Sequence, residues 1–308
     1  MFARNHRRGL ENGRAFLAKA NFKRPLCVLA HHDDEVTQSG LLQRIGGELG
    51  IAWLTNSDGR YFDSELEPLA YGELRKAEGM EAAGLLGVAP QRVRNLDFSE
   101  VAIYRAMSRL HSGQGTWESE GALFEDMRRA VSKVVRDLKP DFVLTLAWQG
   151  GQPEHDLCHF FTYLALRDLE EESGVSIPFF HVPAYEYTYA LAMRFHPLYR
   201  GQRMRIQLTS QELASKWDLI RAYPSQASLF KYFDWAFRFG IMPLGILTGG
   251  PKSLDAFLSI EEFGPVPAEL DYSARPHFFE KLNYMFDDFE GTPVSFSGSI
   301  LPVVRALL

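Results

Sequence analysis

The sequence has few cysteines and no long apolar run. These two shortages exclude several classes of protein. Cys27 and Cys158 are the only cysteines in 308 residues, too few for a disulfide scaffold or a cysteine-built zinc site. No charge-free apolar stretch approaches the roughly 18 residues of a membrane span, and residues 1–25 lack the apolar core of a secretory signal. We therefore expect a cytoplasmic protein without a membrane span.

Basic side chains are also in short supply. Aspartate and glutamate outnumber lysine and arginine by 39 to 33, which gives a net charge of −6. Because affinity for nucleic acids rests on basic side chains that contact phosphate, this balance argues against a general nucleic-acid binder. Hydrophobic residues make up 46% of the chain, which is ordinary for a folded protein.

Apolar runs alternate with helical patterns along most of the chain. The predicted strands cover residues 26–30, 51–55, 92–98, 141–148 and 179–187. The predicted helices cover residues around 41–45, 71–87, 122–138, 155–172 and 209–220, the last opened by a capping box of Thr209 and Glu212. This alternation predicts an α/β fold that is Rossmann-like, with a mostly parallel sheet covered by helices on both faces.

The alternation also suggests how the chain is divided. We expect a single main domain over residues 24–265, preceded by an amphipathic lead-in helix within residues 1–23. Residues 266–308 carry several prolines and lose the alternation, so we interpret them as a C-terminal extension that packs on the core or on a partner.

Two clusters of histidine and acidic residues follow predicted strands. His31, His32, Asp33 and Asp34 come directly after the first strand, and His155 follows the fourth. Either cluster alone has a simpler explanation, as a solvated helix start or a capping histidine. In an open α/β sheet, however, ligands bind beyond the carboxyl ends of the strands, so both clusters are expected at one edge. Two imidazoles and a carboxylate with an open position suit a catalytic Zn²⁺ ion.

These segments carry a resemblance to a known family. AHHDDE at residues 30–35 resembles the A-H-P-D-D-E signature of the PIG-L-type, LmbE-like de-N-acetylases, which are zinc-dependent N-acetylglucosaminyl deacetylases. QPEH at residues 152–155 resembles their second motif, H-P-D-H. Further elements follow in the family's order over about residues 24–265. They are Thr55 with Asp58-Gly59, the helix LRKAEGMEAAGLLGV at 74–88, and YPSQ at 223–226.

The resemblance implies a set of roles. The expected ligands of Zn²⁺, with other divalent metals as alternatives, are His31, Asp34 and His155. Asp33 would be the general base that activates the zinc-bound water. The implied reaction is hydrolysis that removes an acetyl or other acyl group from an N-acylated amino sugar or glycoconjugate. Arg75 matches an arginine expected near the substrate.

Other residues are expected to support the substrate. Asp58 or Glu78 would assist the site, and Trp148, Tyr185, Tyr187 and Tyr189 could offer aromatic faces to a sugar ring. For any single aromatic residue, packing in the core is the simpler interpretation. The same holds for the aromatic stretch at residues 230–239, which could instead be an acyl-binding lid or a contact in a homo-oligomer.

Two positions depart from the family's pattern. Gln152 replaces the first histidine of H-P-D-H, and an amide can donate a hydrogen bond to an oxyanion but cannot release a proton at neutral pH. The proton for the leaving amine would then come from Asp33 or from His159, His32 or Tyr185. His32 itself occupies the family's proline position.

Alternatives to a deacetylase remain open at this stage. One is a catalytically impaired relative that binds a metal or a glycan without turnover. Another is a metalloprotease built on His155 and His159, which are spaced like the histidines of H-E-x-x-H. The parallel-sheet pattern and the aspartate after His155 argue against the protease, and we expect His159 to be packed or hydrogen-bonded.

Overall fold

A computed structural model describes residues 2–186, 193–196, 198–243, 250–277, 279–285 and 287–308. The strands are β1 (Pro25–Leu29), β2 (Gly50–Thr55), β3 (Val93–Phe98), β4 (Phe142–Leu146), β5 (Phe179–Val182), β6 (Met204–Gln207), β7 (Ile260–Pro265), β8 (Asp288–Phe289) and β9 (Thr292–Pro293). The α-helices are α1 (Phe2–Lys19), α2 (Ser39–Ile45), α3 (Pro68–Leu85), α4 (Glu100–Ser112), α5 (Trp117–Leu138), α6 (Pro153–Ser173), α7 (Ser210–Arg221), α8 (Ala227–Ala236), α9 (Leu254–Leu258) and α10 (Leu301–Leu307).

Seven strands form one sheet in the order β3-β2-β1-β4-β5-β7-β6. The first five strands in this order are parallel to one another, whereas β7 runs antiparallel to both β5 and β6. The predicted fold, a mostly parallel α/β sheet in a single domain, is therefore confirmed. Strand order reverses direction between β1 and β4, and an open sheet of this kind has its ligand crevice at such a point.

The composition of the central strands explains their place in the sheet. Every residue of β1, β2 and β4 is buried, because these strands are apolar without alternation and are covered on both faces. Strand β5 is shorter than the predicted range of 179–187. It ends at Val182 because Pro183 has no backbone N–H to continue the ladder.

The ends of the helices follow local sequence signals. Helix α6 begins with Pro153 at its first position, where the missing N–H costs nothing. The capping box predicted for α7 is present, since Thr209 and Glu212 exchange side-chain and backbone hydrogen bonds. Among the described helices, none is long and apolar enough to cross a membrane.

The C-terminal extension packs into the same core as the sheet. Its buried members are Tyr272, Tyr284, Val294, Phe296, Ile300, Val303, Val304 and Leu307. The Tyr284 hydroxyl donates to Asp156 Oδ2 at 3.0 Å, which ties the extension to the first turn of α6. The bounds of the lead-in, domain and extension stay a prediction.

The aromatic stretch at residues 230–239 is divided between core and surface. Phe237 is buried against Phe257, with ring centroids 5.6 Å apart. Tyr232, Trp235 and Phe239 are exposed and contact one another in sequence. A packing role therefore applies to only part of the stretch.

Candidate metal centre and active site

The two polar clusters meet at the carboxyl ends of β1 and β4, which are neighbours in the sheet. His31 Nδ1 lies 3.1 Å from His155 Nε2, and His155 Nε2 lies 3.2 Å from Asp34 Oδ1. His31 Nδ1 is 3.7 Å from Asp34 Oδ2. All three side chains are buried, and the structure thus brings together the three expected ligands.

The donor atoms of this cluster fit a zinc ion. Ligand atoms about 2.1 Å from a tetrahedral ion are roughly 3.4 Å apart. The two imidazole nitrogens are 3.1 Å apart, and each lies 3.2 to 3.7 Å from one oxygen of the Asp34 carboxylate. Burial lowers the pKa of His31 to about 4, so its imidazole is neutral. Burial alone would raise the pKa of Asp34, but His155, His31 and the backbone N–H of His31 hold it below its ordinary value. Two imidazoles and a carboxylate are a catalytic zinc set.

Asp33 lies next to this cluster in an unusual backbone conformation. Its φ of 110° is in a region that residues other than glycine rarely adopt and that is often found at functional sites. Its carboxylate is 2.9 Å from the guanidinium of Arg75. Burial raises the pKa of Asp33 to about 6, and Arg75 opposes that rise. The Asp33 carboxyl group is therefore mostly ionised at neutral pH. Its pKa is close enough to neutrality for the group to titrate within the pH range of an enzyme assay.

The guanidinium of Arg75 has three further partners. Its guanidinium contacts Glu78 Oε2 and Ser225 Oγ, each at 3.0 Å, and donates to the carbonyl oxygen of His32. Glu78 in turn accepts hydrogen bonds from the backbone and hydroxyl of Ser225. These contacts hold Arg75 in place beside Asp33. Arg75 also lines the cavity above the cluster.

A cavity of about 260 Å³ opens above the cluster. Its lining residues are His31, Asp33, Asp34, Ser57, Gly59, Arg60, Tyr61, Phe62, Arg75, Glu100, Tyr104, Gln152, Tyr185, Gln226, Leu229, Asp288, Phe289 and Glu290. The volume lies near the lower end of small-molecule sites, roughly 300 to 1,000 Å³. The expected metal ligands, the expected base and a small-molecule cavity thus coincide.

A family model described as "PIG-L: GlcNAc-PI de-N-acetylase" matches residues 26–166, the range that contains both polar clusters. These residues form a PIG-L family domain. The resemblance of the motifs is therefore confirmed. None of the curated proteins compared with the chain matches it.

Solved structures of deacetylases share the fold of the PIG-L domain and its surroundings. The deacetylase of the teicoplanin biosynthesis pathway has a TM-score of 0.56 at 18% identity, over 80% of this chain and 99% of that one. The N,N'-diacetylchitobiose deacetylase from Pyrococcus horikoshii has a TM-score of 0.54 at 18% identity, covering 83% and 92%. A zinc-inhibited form of teicoplanin deacetylase gives 0.51 at 15% identity, covering 80% and 99%. At these identities the likeness shows the fold.

Gln152 occupies the histidine position of the PIG-L motif at the start of α6. It lines the cavity, and its buried Oε1 has no hydrogen-bond partner among the described residues. Gly150 and Gly151 before it have φ of 75° and 88°, and a Cβ on Gly150 would lie 2.4 Å from the carbonyl oxygen of Asn283. Glycine therefore lets this loop of the PIG-L domain pass close to the C-terminal extension.

The structure distinguishes the candidate proton donors by whether they line the cavity. Both ring nitrogens of His32 are bonded, to Ser57 Oγ at 2.9 Å and Asn95 Oδ1 at 2.8 Å. Those of His159 contact the carbonyl oxygen of Leu146 and the Tyr272 hydroxyl. Neither histidine lines the cavity, and His159 is packed and hydrogen-bonded as expected.

With His32 and His159 outside the cavity lining, Tyr185 is the remaining aromatic candidate for the proton donor. It lines the cavity, and its ring stacks on His155 with centroids 5.6 Å apart and planes at 12°. Tyr187 and Tyr189 lie outside the described residues.

Two residues expected at the substrate lie outside the cavity lining. Asp58 accepts hydrogen bonds from Ser99 Oγ at 2.7 Å and from the backbone N–H of Val101 at 3.1 Å, and so holds the start of α4. Trp148 is buried edge-on against Tyr272 and Phe296 of the extension. Both side chains therefore serve contacts within the fold.

Several cavity residues were missed by sequence reasoning. Glu100 follows strand β3 and lies 3.6 Å from His31 Nε2, so polar residues after β3 were a usable signal. Tyr104 lies one helical turn further along α4. Phe289 comes from the extension, for which the PIG-L motifs offer no signal.

Proposed function

We propose that the chain is a metal-dependent deacetylase that removes an acetyl or other acyl group from an N-acylated amino sugar or glycoconjugate. The observation that carries the proposal is the cluster of His31, Asp34 and His155 at the floor of the cavity, with Asp33 beside it. The PIG-L match supports an N-deacetylase, and the deacetylases that share the fold support hydrolysis of an acetyl amide.

His31, Asp34 and His155 would hold the ion, for which Zn²⁺ is the best fit and other divalent metals are alternatives. When bound, the ion would act as a Lewis acid on the amide carbonyl and on the attacking water. The remaining steps belong to side chains of the protein.

Asp33 would accept the proton of the attacking water. It must be ionised to do so, and its ion pair with Arg75 favours that form against the effect of burial. As the bond between the carbonyl carbon and nitrogen breaks, the same proton can pass from Asp33 to the amine that leaves. One carboxyl group would then serve as base and acid in turn, which removes the need for the missing histidine.

Gln152 and Tyr185 would stabilise the developing oxyanion. Both line the cavity, and the Gln152 amide N–H and the Tyr185 hydroxyl are donors that remain neutral. Burial raises the pKa of Tyr185 far above neutral, so its hydroxyl keeps its proton.

The upper part of the cavity suits a sugar ring. Arg60 offers a charged partner for hydroxyl groups, and Tyr61 and Tyr104 offer aromatic surface. Arg75 is placed to contact the substrate near Asp33.

Metal content measured by mass spectrometry on protein purified without chelator tests the first part of the proposal. We expect about one zinc per chain in the wild type and none in a His31→Ala/His155→Ala double variant. His111→Ala, which removes an imidazole bonded to Ser295 outside the cluster, is the matched control and should retain the metal. Absence of metal from wild-type protein even after zinc is offered would overturn the proposal.

A panel of N-acetylated sugars tests turnover. The replacement of the motif histidine by Gln152 also favours a second candidate, a relative that binds a metal or glycan without hydrolysis. Acetate release from a panel member supports the deacetylase. Metal and sugar binding without acetate release supports the binding protein.

Cytoplasmic location and a homo-oligomeric state stay predictions.

A further inference from the structure

Tyr223 lies behind the loop that carries two of the expected metal ligands. It is fully buried, comes shortly after helix α7, and is not among the residues that line the cavity above the cluster. It lines instead a second cavity of about 710 Å³, together with Val36 of the same loop. A substrate bound above the cluster therefore does not touch Tyr223, and any effect of this side chain on the reaction passes through other residues.

The hydroxyl of Tyr223 is linked to the backbone of Asp33 through one carboxylate. It donates to Glu35 Oε1, and the other oxygen of Glu35 lies 3.3 Å from the backbone nitrogen of Asp33. That oxygen also accepts from Trp53 Nε1 at 3.3 Å. The φ of 110° at Asp33 is a conformation that costs free energy and persists only where the surroundings impose it. The hydrogen bond from Tyr223 therefore fixes a carboxylate that helps to impose it.

The ring of Tyr223 is linked to the side chain of Asp33 through Arg75. The guanidinium carbon of Arg75 lies 5.0 Å from the centroid of the ring, which is the geometry of a cation–π contact. The nitrogens of the same guanidinium contact the Asp33 carboxylate at 2.9 Å and Glu78 at 3.0 Å. The ring thus supports the cation that holds the Asp33 carboxylate.

Core packing alone does not account for this arrangement. Glu35 is a fully buried carboxyl group in the same loop as Asp33 and Asp34, and burial of such a group is unfavourable unless it is hydrogen-bonded. An apolar pair of side chains would fill the same space without that cost. Tyr223 supplies one of the bonds to Glu35, and both of its polar contacts lead to Asp33.

Building on the proposed function, we propose that Tyr223 is a positioning residue for the proposed base. Its hydroxyl, acting through Glu35, sets the backbone conformation of Asp33, and its ring, acting through Arg75, sets the direction of the Asp33 carboxylate. Because a reacting group displaced by about 1 Å can lose about 100-fold in rate, the two contacts are expected to raise kcat and to leave KM unchanged.

Steady-state kinetics on a panel sugar that the wild type hydrolyses test both contacts. Tyr223→Phe keeps the ring and removes the hydroxyl, and we expect it to lower kcat per bound metal about 10-fold with KM unchanged. Tyr223→Leu removes both contacts and should lower kcat about 100-fold. Tyr272→Phe is the matched control. It removes the hydroxyl of another buried tyrosine, one bonded to His159 outside the cavity lining, and should leave kcat unchanged.

Combination with Asp33→Asn separates positioning from a general loss of structure. If Tyr223 acts through Asp33, Tyr223→Phe should leave the residual rate of Asp33→Asn unchanged. A further fall of about 10-fold in that background would overturn the proposal, because the hydroxyl would then affect the rate without the proposed base. A wild-type kcat in Tyr223→Phe alone would overturn it as well.

Hydrogen exchange tests the link through Glu35 without turnover. The backbone N–H of Asp33 is bonded to Glu35, so its exchange should be faster in Tyr223→Phe than in the wild type or in Tyr272→Phe. Mass spectrometry of the peptide that contains residues 31–36 measures this rate. Faster exchange supports the link even if no sugar of the panel is hydrolysed and the proposed function fails. Equal exchange in all three proteins contradicts it.

Discussion

The guanidinium of Arg75 lies 2.9 Å from the carboxylate of Asp33, and both groups are largely buried beside the metal-ligand cluster. This contact joins helix α3 to the loop after β1, so the proposed base is positioned by an element that provides none of the proposed metal ligands. Base and ligands can therefore be separated by mutation.

Asp33→Asn is expected to lower kcat by about 10²- to 10⁴-fold, because an amide cannot accept the proton of water. Bound metal should be unchanged, since Asp33 is not one of the three expected ligands. Initial rates together with metal analysis check both parts. Asp97→Asn, which changes an exposed aspartate paired with Lys76, is the matched control. Full activity in Asp33→Asn would rule out the proposed base.

Arg75→Lys is expected to move the acid limb of the kcat/KM profile to higher pH. Activity requires ionised Asp33, so it is present above the pKa of that group and is lost as pH falls through it. Burial raises this pKa and Arg75 opposes the rise, and a lysine cannot contact Asp33, Glu78 and Ser225 at once. Rates measured across pH 4 to 9 check the direction. An acid limb that stays in place or moves to lower pH would contradict the role given to Arg75.

Gly79→Ala is expected to destabilise the protein by about 1–3 kcal/mol. A Cβ at this position would lie 2.4 Å from Cδ2 of His32, whose ring is fixed by hydrogen bonds to Ser57 and Asn95. Gly84→Ala in the same helix meets no atom within 4 Å and should stabilise by about 0.5–1 kcal/mol. Denaturant unfolding compares the two variants. Equal effects would show that α3 can move away from His32 freely.

As the pH falls, the Glu212→Gln variant is expected to lose less stability than the wild type does. Hydrogen bonds from Arg44, with Nε 2.6 Å from Oε1, and from Thr209 lower the pKa of Glu212 to about 2. A depressed carboxyl pKa contributes stability above its ordinary value of 4.5, and that contribution is lost as pH falls from 4.5 toward 2. At pH 7 the variant should lose about 1 kcal/mol.

Denaturant unfolding at pH 7 and pH 3 measures this effect, with Glu81→Gln, an exposed glutamate of α3, as the control. If Glu212→Gln loses as much stability between the two pH values as the wild type does, other carboxylates account for the acid sensitivity.

The fold and the metal-ligand cluster were accessible from sequence for one physical reason. Parallel strands place their carboxyl ends at one edge, so His31 and Asp34 after one apolar run and His155 after another had to meet if the runs were neighbours. Glu100 follows a third such strand and was equally accessible by the same rule.

The outer parts of the cavity were not accessible in this way. The contact between Phe289 and Tyr104 joins residues far apart in sequence and depends on how the extension packs. Trp148 was expected to offer an aromatic face to a sugar ring, but Tyr272 and Phe296 of the same extension cover it. Neither outcome has a local sequence signal, since both depend on tertiary contacts.

The chain order of the site has a consequence during synthesis. The three proposed metal ligands all lie at or before the first turn of α6 in the chain, whereas the aromatic wall of the cavity includes Phe289. At about 5–20 residues per second, a ribosome takes roughly 7 to 27 s to travel between His155 and that residue. Translation therefore completes the three proposed metal ligands well before it supplies one wall of the cavity.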